Sequence, residues 1–417
     1  MSELQPREPM RAAAPAAPPS GSGYALAAGL LGWTLDAFDF FILVFAVPAI
    51  AAEFHRSVAD IAFTITATLA MRPVGAVVFG WLADRYGRRL PLMGDIVFYS
   101  VCEVASGLAP NYGSFLVLRA LYGAGMGGEW GVGAALAMES VPAGLRGMLS
   151  GVLQEGYAVG YLFAAAAYFL VFPHFGWRPL FFIGTIPAVL ALYVCAKVPE
   201  PQAWEHSRPG HRAIWRTVRK NFRLFAYLVL LMTMMNLMSH GTQDLYPTFL
   251  ESQRALGPRT VATVALIYNF GALIGGVFFG YISDRVGRRR AMAAASLLGL
   301  CMVPAWLYPQ SLAWLTAGAF AMQFMVQGAW GIIPAHLAEL SPPAARGLFS
   351  GLAYQLGVLL AANAAYVEAL MARRLGYANA LAVVASIVLL AAVIVIMMGS
   401  ERVGVDFHSD SDAPADR

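Results

Sequence analysis

The sequence predicts an all-α integral membrane protein with twelve transmembrane helices in two pseudo-symmetric halves of six. The first observation behind this fold class is composition. Of 417 residues, 59% are hydrophobic and only 12% are charged, whereas soluble globular domains are about half apolar and about one quarter charged. The mean hydropathy is +0.62. An ordinary soluble protein is therefore excluded, and so is a disordered chain, which needs low hydrophobicity and high charge.

The second observation is the spacing of the apolar stretches. A helix needs about 20 apolar residues to cross the roughly 30 Å hydrocarbon core of a bilayer. The predicted spans are 24–50, 60–83, 90–109, 114–139, 146–172, 178–197, 223–250, 260–283, 290–309, 312–339, 346–371 and 376–399. Residues 24–197 form the predicted N-terminal half and residues 223–399 the C-terminal half. The remaining segments are a disordered tail (1–23), a basic linker (198–222) and a second tail (400–417).

The distribution of Lys and Arg predicts the orientation. With the N-terminus inside, 20 of the 28 basic residues lie in cytoplasmic loops and tails and six lie on the other side. Cytoplasmic loops of membrane proteins carry the excess of Lys and Arg. We therefore expect both termini, the linker and the loops after spans 2 and 8 to be cytoplasmic, in a multi-pass protein of the cell (inner) membrane.

The third observation is an internal repeat with an offset of 200 residues. The segment GWLADRYGRR at 80–89 recurs as GYISDRVGRR at 280–289, and Glu139 and Arg146 recur as Glu339 and Arg346. Too many unusual residues align for chance to explain. Two parallel six-helix repeats place a substrate site at their interface near the midplane of the membrane.

The repeated GxLADRxGRR loop resembles the signature of the major facilitator superfamily. In span 7, residues 236–248 (NLMSHGTQDLYPT) fit the pattern Nxx[S/T]Hx[S/T]QDxxxT of Jen-type lactate and pyruvate permeases and of the related sialate:proton symporter family. Gln355 is similar to the glutamine of a Jen-type QLGN element, although Val358 replaces its asparagine. Residues 35–39 (LDAFD) resemble the DGxD element of aromatic-acid:proton symporters, which supports a larger organic acid as the alternative substrate.

The charges within the predicted spans are candidates for function, because a charge in hydrocarbon usually faces a cavity. Arg72 lies near the middle of span 2, and Asp36 and Asp39 are three residues apart in span 1. One hypothesis is that Arg72 binds a substrate carboxylate, as the Jen-type resemblance implies, and that protonation of either aspartate releases the arginine. The alternative is a static salt bridge between spans 1 and 2.

Polar residues on one face of span 7 form the second candidate group. Asn236, His240 and Asp244 are spaced by four residues and share a helix face, with Gln243 beside it. A histidine one turn from a carboxylate can share a proton near neutral pH. We expect His240 and Asp244 to relay protons and Asn236, His240, Gln243 and Gln355 to contact substrate. The alternative is a polar network that packs span 7 against span 1.

The repeated loops predict a cytoplasmic gate. The expected gate residues are Asp84, Arg85, Arg88, Glu139, Arg146, Asp284, Arg285, Arg288, Glu339 and Arg346. Glu139 and Arg146 flank one turn, as do Glu339 and Arg346, so charge networks could form there and break as the halves rock. The alternative is that the arginines only orient the protein.

The function that the sequence predicts is secondary active transport: proton-coupled symport of a small monocarboxylate such as lactate or pyruvate. The alternatives are symport of a larger acid, sialic or aromatic, and a non-transporting membrane sensor with this fold. We expect no enzyme, cofactor or nucleic-acid partner, and the three dispersed cysteines suggest no disulfide framework or metal site. The expected partners are a small organic acid anion, a proton and the lipid bilayer, with function as a monomer.

Overall fold

The computed structural model describes residues 21–207 and 210–407, and its regular structure over these residues is helical. Most of the predicted first tail and residues 408–417 of the second lie outside the described residues. The helices are α1 (Ser22–Glu53), α2 (Val58–Tyr86), α3 (Arg89–Gly107), α4 (Tyr112–Ser140), α5 (Arg146–Gln154), α6 (Gly156–Phe175), α7 (Arg178–Ile183), α8 (Thr185–Lys197), α9 (Gln202–Ser207), α10 (His211–Lys220), α11 (Phe222–Gln243), α12 (Tyr246–Ser252), α13 (Pro258–Val286), α14 (Arg288–Leu307), α15 (Leu312–Gly331), α16 (Ile333–Leu340), α17 (Arg346–Ala361), α18 (Ala364–Leu375) and α19 (Tyr377–Met398).

Every predicted span is helical, but five of the twelve are interrupted. Spans 5, 6, 7, 10 and 11 each consist of two consecutive helices, from α5–α6 to α17–α18. In the described residues, eight helical segments are long and apolar enough to cross a membrane. The other four predicted spans (α3, α4, α7–α8 and α15–α16) fall short in length, hydropathy or charge. A multi-pass membrane protein is thus confirmed, while the count of twelve spans stays a prediction.

Helix packing repeats between the two parts of the chain, α1–α8 and α11–α19, which we call the N-terminal and C-terminal halves. The packing of α2 on α4 and of α3 on α4 is repeated by α13 on α15 and α14 on α15. Across the interface, α17 packs on α2 and, in the equivalent place, α5 packs on α13. The halves therefore face each other through α2, α4 and α5 on one side and α13, α16 and α17 on the other.

Glycines allow the backbones of the two halves to approach closely at this interface. A Cβ atom added to Gly131 would lie 2.5 Å from the Cα atom of Gly351, and one added to Gly151 would lie 2.4 Å from the carbonyl oxygen of Gly276. A Cβ on Gly80 or Gly280 would likewise meet the backbone at Leu348 or Gly147, at 2.9 and 2.3 Å. Any larger residue here would push the halves apart.

The linker and the start of the second tail lie against the end of the molecule predicted to be cytoplasmic. The Trp204 indole in α9 donates a hydrogen bond of 2.9 Å to the carbonyl oxygen of Asp84. Arg146 donates a hydrogen bond, also of 2.9 Å, to the carbonyl oxygen of Val405. Both segments therefore bind the same region, which contains most of the predicted gate residues.

Candidate functional site

Eight of the ten predicted gate residues form two equivalent buried charge clusters, which together we call the inner latch. Its members are Asp84, Arg88, Glu139, Arg146, Asp284, Arg288, Glu339 and Arg346. The guanidinium of Arg88 donates two hydrogen bonds to the carboxylate of Glu139, of 3.0 and 2.9 Å, and Arg288 repeats this fork on Glu339 at the same two distances. Such bidentate, charge-assisted pairs are the strong ones.

Each latch glutamate also binds an arginine of the opposite half. Arg346 Nη1 lies 2.9 Å from Glu139 Oε1, and Arg146 Nη1 lies 3.2 Å from Glu339 Oε1. The expectation that Glu139 and Arg146, or Glu339 and Arg346, act together around one turn is corrected here, because the pairs cross between the halves. The reason is the close approach of the two repeats, which puts each arginine nearer to the other repeat's glutamate.

The latch aspartates cap helices of the opposite half. The Asp84 carboxylate accepts hydrogen bonds of 2.9 Å from the backbone N–H groups of Gly347 and Leu348 at the start of α17. Asp284 accepts bonds of 2.8 and 3.0 Å from Gly147 and Met148 at the start of α5. A carboxylate at a helix N-terminus satisfies free N–H groups and the positive end of the helix dipole. The two halves thereby hold each other shut.

Gly87 and Gly287 make the turns that place the latch arginines. Their φ angles are +109° and +101°, a region that only glycine enters freely. The backbone N–H groups of the two residues after each turn donate to a distant glutamate that the sequence did not single out. Arg88 and Arg89 donate to Glu200, and Arg288 and Arg289 donate to Glu401. Burial raises the pKa of Glu200 in the linker, although the two backbone hydrogen bonds act to lower it.

Arg85 and Arg285 lie outside the inner latch, so including them in the gate is corrected. Arg85 is half-buried and stacks on the neighbouring Tyr86 ring at 5.2 Å, and the exposed Arg285 stacks on Tyr281 at 3.6 Å. Neither has a carboxylate within 4 Å among the described residues. Orienting the protein by positive charge is a sufficient role for both.

The ring of Phe407 lies between the two arginines that cross the halves. The guanidinium carbons of Arg146 and Arg346 are each 3.9 Å from its centroid. These arginines are equivalent in the repeat, and the ring is equidistant from both. A residue of the C-terminal tail thus touches both halves at once, which no sequence pattern indicated.

In the interior of the N-terminal half, Arg72 and Asp36 form a loose pair. Arg72 Nη2 lies 3.5 Å from Asp36 Oδ2, and the residues are 5% and 1% exposed. The Nε and Nη2 donors of Arg72 and both carboxylate oxygens of Asp36 make no hydrogen bond within the described protein. The two charges are close enough to attract but not locked together. Arg72 therefore keeps donors free for another anion.

Asp39 does not join this pair, although three-residue spacing predicted a shared face with Asp36. Its Oδ1 would lie 2.3 Å from a Cβ on Gly184, so it faces the junction of α7 and α8. Nearby, the buried Arg119 is bound to Glu103 at 2.5 Å and to Ser106. The 100° step of a helix separates residues three apart by about 60°, and here that angle directs Asp39 to a different neighbour.

The polar face of α11 brings His240 and Asp244 together. His240 Nδ1 is 3.1 Å from Asp244 Oδ2, and the two side chains are 43% and 37% exposed. The helix ends at Gln243, and α12 begins at Tyr246 with Pro247 in its first turn. A histidine–carboxylate pair that water can reach is arranged to exchange a proton.

The amides predicted to contact substrate are mostly occupied by protein. Asn236 donates to the Met232 carbonyl at 2.8 Å, within its own helix. Gln243 donates to Gln323 on α15 at 2.7 Å, so this part of α11 packs against α15, whereas the alternative interpretation of the sequence placed it against span 1. Gln355 crosses between the halves to the Gly127 carbonyl at 3.3 Å, and its Oε1 has no described partner. The buried Oε1 of Gln355 is therefore an accepting atom open to a ligand.

Aromatic side chains of both halves connect the two polar groups. Tyr354 stacks on Trp130 at 4.2 Å and contacts the edges of Trp33 and Trp330 at 6.1 and 6.0 Å. Trp33 lies one turn before Asp36 on α1, and the Trp330 indole donates to the Met235 carbonyl, next to Asn236. Tyr157 continues the cluster, 5.3 Å from Trp33 and 38% exposed. The walls between Arg72 and α11 are therefore large, rigid and partly open to water.

Comparison with known proteins decides the family. The sequence model of the family described as Major Facilitator Superfamily matches residues 29–257 and 245–412, which is nearly the whole chain. The chain belongs to the major facilitator superfamily. It is similar to a carboxylic acid transporter protein homolog of Saccharomyces cerevisiae, at 31% identity over 93% of this chain and 68% of that protein. It also resembles the sialic acid transporter NanX of Escherichia coli, at 30% identity over 80% of this chain and 83% of NanX.

A third relative is a probable 4-methylmuconolactone transporter of Cupriavidus pinatubonensis, 28% identical over 92% of both chains. Among solved structures, the proton:xylose symporter XylE matches 93% of this chain and 98% of its own with a TM-score of 0.74 and 18% identity, which shows the shared fold. This major facilitator protein is therefore a membrane transporter and not an enzyme.

Several buried polar residues of this major facilitator protein lie outside the site residues that the sequence predicted. Glu129 on α4 and Glu368 on α18 are at most 1% exposed, and neither carboxylate has a hydrogen-bond partner in the described protein. Glu368 lies beside Gly241, one residue after His240. Gln323 and the glutamates at 200 and 401 were also missed. The last two had a detectable signal, because they recur at an offset of 201 residues, close to the repeat.

Proposed function

We propose that this transporter carries a small monocarboxylate of the lactate or pyruvate type together with a proton, by alternating access. The observation that carries the proposal is the loose pair of Arg72 and Asp36. Arg72 is a permanent cation, 5% exposed, with guanidinium donors that no described residue occupies. A planar guanidinium matches a carboxylate through two parallel hydrogen bonds.

Competition between two carboxylates for Arg72 supplies the coupling. While Asp36 is ionised, its carboxylate lies 3.5 Å from the arginine and neutralises it. Protonation of Asp36 removes that attraction and frees Arg72 for the substrate anion. The proton and the anion then move together as a neutral pair, which lowers the cost of crossing a medium of low dielectric constant. The sequence assigned coupling to Asp39 as well, but its position beside Gly184 makes Asp36 the first choice.

The conformation supports a substrate that enters from the side opposite the inner latch. The latch closes one end of the interface, while Tyr157, Tyr161 and the pair of His240 and Asp244 are more than one third exposed. His240 and Asp244 then exchange protons with the water of this opening. Breaking the latch would open the other end, as rigid-body rocking of two halves requires.

A larger organic acid is the second candidate substrate. It is favoured by the relatives, since NanX is named for sialic acid and the Cupriavidus protein for 4-methylmuconolactone. The carboxylate chemistry at Arg72 is the same for both candidates. They differ only in the space beside the aromatic walls.

The test is uptake by proteoliposomes with an imposed inward proton gradient. We expect accumulation of labelled lactate, competed by pyruvate more strongly than by acetate, sialate or benzoate. Asp36→Asn is expected to keep substrate exchange at zero gradient while losing gradient-driven accumulation, with Asp39→Asn as the matched control that retains it. Uptake of sialate or benzoate, without uptake of lactate, would show that the substrate is a larger organic acid. Accumulation that is independent of the proton gradient would contradict proton-coupled symport.

A further inference from the structure

A basic face on the linker helix α10 remains unexplained by transport. Arg212, Arg216, Arg219 and Lys220 follow the spacing i, i+4, i+7 and i+8, so they lie along one side of the helix. All four side chains are exposed. None has a carboxylate within 4 Å among the described residues, in contrast to the fully paired arginines of the inner latch. Four unneutralised cations on one side of a ten-residue helix attract anions.

The other side of α10 fixes the helix to the protein. Ile214 is fully buried in the hydrophobic core, and Val218, one turn on, packs against the same core. The helix contacts the short segment Pro343–Ala345 and the end of α2. The basic face is thus held in a defined direction and does not belong to a free loop.

The height of this face relative to the membrane follows from the next helix. Only Asn221 separates α10 from α11, part of the apolar segment Phe222–Ser252. Phe222 is 65% exposed, which suits contact with lipid chains and not with water. Lys220, two residues earlier, then lies at the level of the lipid headgroups, where Lys and Arg side chains commonly end.

The cations and one aromatic ring enclose a concave space. Arg212, Arg216, Arg219 and Lys220, together with Trp215, line an open cavity of about 700 Å³. Trp215 is 40% exposed, and tryptophan is enriched at membrane–water interfaces because it has an apolar ring and a polar N–H. A phosphate group in this space would meet cationic donors, with an indole to pack against the glycerol and first methylenes.

We propose that this cavity binds the headgroup of an anionic phospholipid and thereby fastens the linker to the membrane. Phosphate is the shared chemistry, and a lipid is the source that Trp215 and the level of Phe222 favour over a free anion. Basic residues near a membrane surface each add to the attraction for anionic lipid. The site is separate from the transport site and does not depend on the substrate.

The experiment is native mass spectrometry of the full-length protein, purified in detergent and mixed with dioleoyl phosphatidylglycerol or dioleoyl phosphatidylcholine. We expect retention of phosphatidylglycerol, and at least tenfold weaker retention by the variant R212Q/R216Q/R219Q/K220Q. The matched control R85Q/R285Q/R290Q/R402Q removes four other basic residues at the same end of the molecule and is expected to retain the lipid. Equal loss in both variants, or equal retention of the two lipids, overturns the proposal.

Two further arms identify the source and guard against misfolding. Inorganic phosphate at a hundredfold excess is expected to leave the lipid bound, and full displacement would assign the site to a free anion. If the fourfold variant does not fold, Arg216→Gln and Lys220→Gln singly are expected to weaken retention about threefold each. Dibrominated phosphatidylglycerol is expected to quench wild-type fluorescence more than that of Trp215→Phe, and equal quenching would exclude Trp215 from the contact.

Discussion

The inner latch and the polar groups inside the predicted spans (Asp36, Asp39, Arg72, Glu129, His240 and Asp244), which we call the centre, use charge in opposite ways. In the latch, Glu139 and Glu339 each accept hydrogen bonds from two arginines, one from each half. In the centre, both oxygens of Asp36, Asp39 and Glu129 make no hydrogen bond within the described protein. Paired, desolvated charges hold a conformation, whereas incompletely paired ones are available to a proton or a ligand. In the proposed mechanism this difference separates the residues that hold a conformation from those that bind the proton and the substrate.

The largest effect is expected from Arg72→Gln. Among the described residues, Arg72 is the cation paired with Asp36. Removing it leaves no strong partner for a substrate carboxylate, so uptake should fall at least 100-fold, on the order of 3 kcal/mol. Uptake by proteoliposomes measures this. Arg85→Gln, which removes an arginine outside the latch and the centre, is expected to stay within about twofold of the wild type. Uptake by Arg72→Gln within tenfold of the wild type would make the pair with Asp36 structural.

The next largest effect is expected from a substitution in the inner latch. It should change the conformation of the protein more clearly than the rate of uptake. Glu339→Gln leaves Arg146 without a carboxylate and leaves Arg288 with Asp284 alone. Breaking a buried pair costs about 3–5 kcal/mol. A suitable reporter is Ser350→Cys, 3% exposed at the interface, in a chain whose three native cysteines are replaced by alanine. Maleimide labelling should accelerate more than tenfold, and equally in Glu139→Gln. A response from only one of the two glutamates would contradict the twofold equivalence of the latch.

The sequence predicts the parts of this contrast that the internal repeat marks, and it predicts the other parts less well. The repeat at 200 residues predicted the latch members, because Asp84 and Asp284 or Arg88 and Arg288 recur in register. It did not predict that the pairs cross between halves, since a repeat says nothing about which copy faces which. The helical breaks inside five spans were also missed. They leave the hydropathy of a span unchanged, so composition does not show them.

The centre was less predictable because it has no repeat. Arg72, Asp36, His240 and Asp244 were identified as rare charges in apolar helices. The partner of Gln243 was not predicted: this amide lies beside the predicted face of α11 but donates to Gln323, 80 residues away. Contacts between residues so far apart in sequence depend on how helices rotate against each other, which a single sequence does not encode locally.

His240→Gln is expected to have an intermediate effect that is specific to pH. Glutamine keeps a polar side chain next to Asp244 but cannot take up a proton near neutral pH, as histidine does with its ordinary pKa of about 6.5. The ratio of uptake at about pH 5.5 to uptake at about pH 7.5 should fall several-fold. Ser239→Ala, on the preceding residue, serves as control with an unchanged ratio. An unchanged ratio in His240→Gln would assign the pH response to the other groups of the centre.

The smallest effect is expected from Phe407→Ala, which tests whether the tail strengthens the latch. Its ring contacts Arg146 and Arg346, both at 3.9 Å, and a cation–π contact contributes about 0.5–2 kcal/mol. Since the ion pairs with both glutamates remain, labelling of Ser350→Cys should accelerate only about threefold. Phe407→Tyr retains an aromatic face and should label at the wild-type rate. If alanine and tyrosine label alike, the ring contributes nothing and the glutamates alone keep the halves together. If alanine accelerates labelling as strongly as Glu339→Gln, the tail and the ion pairs open as one unit.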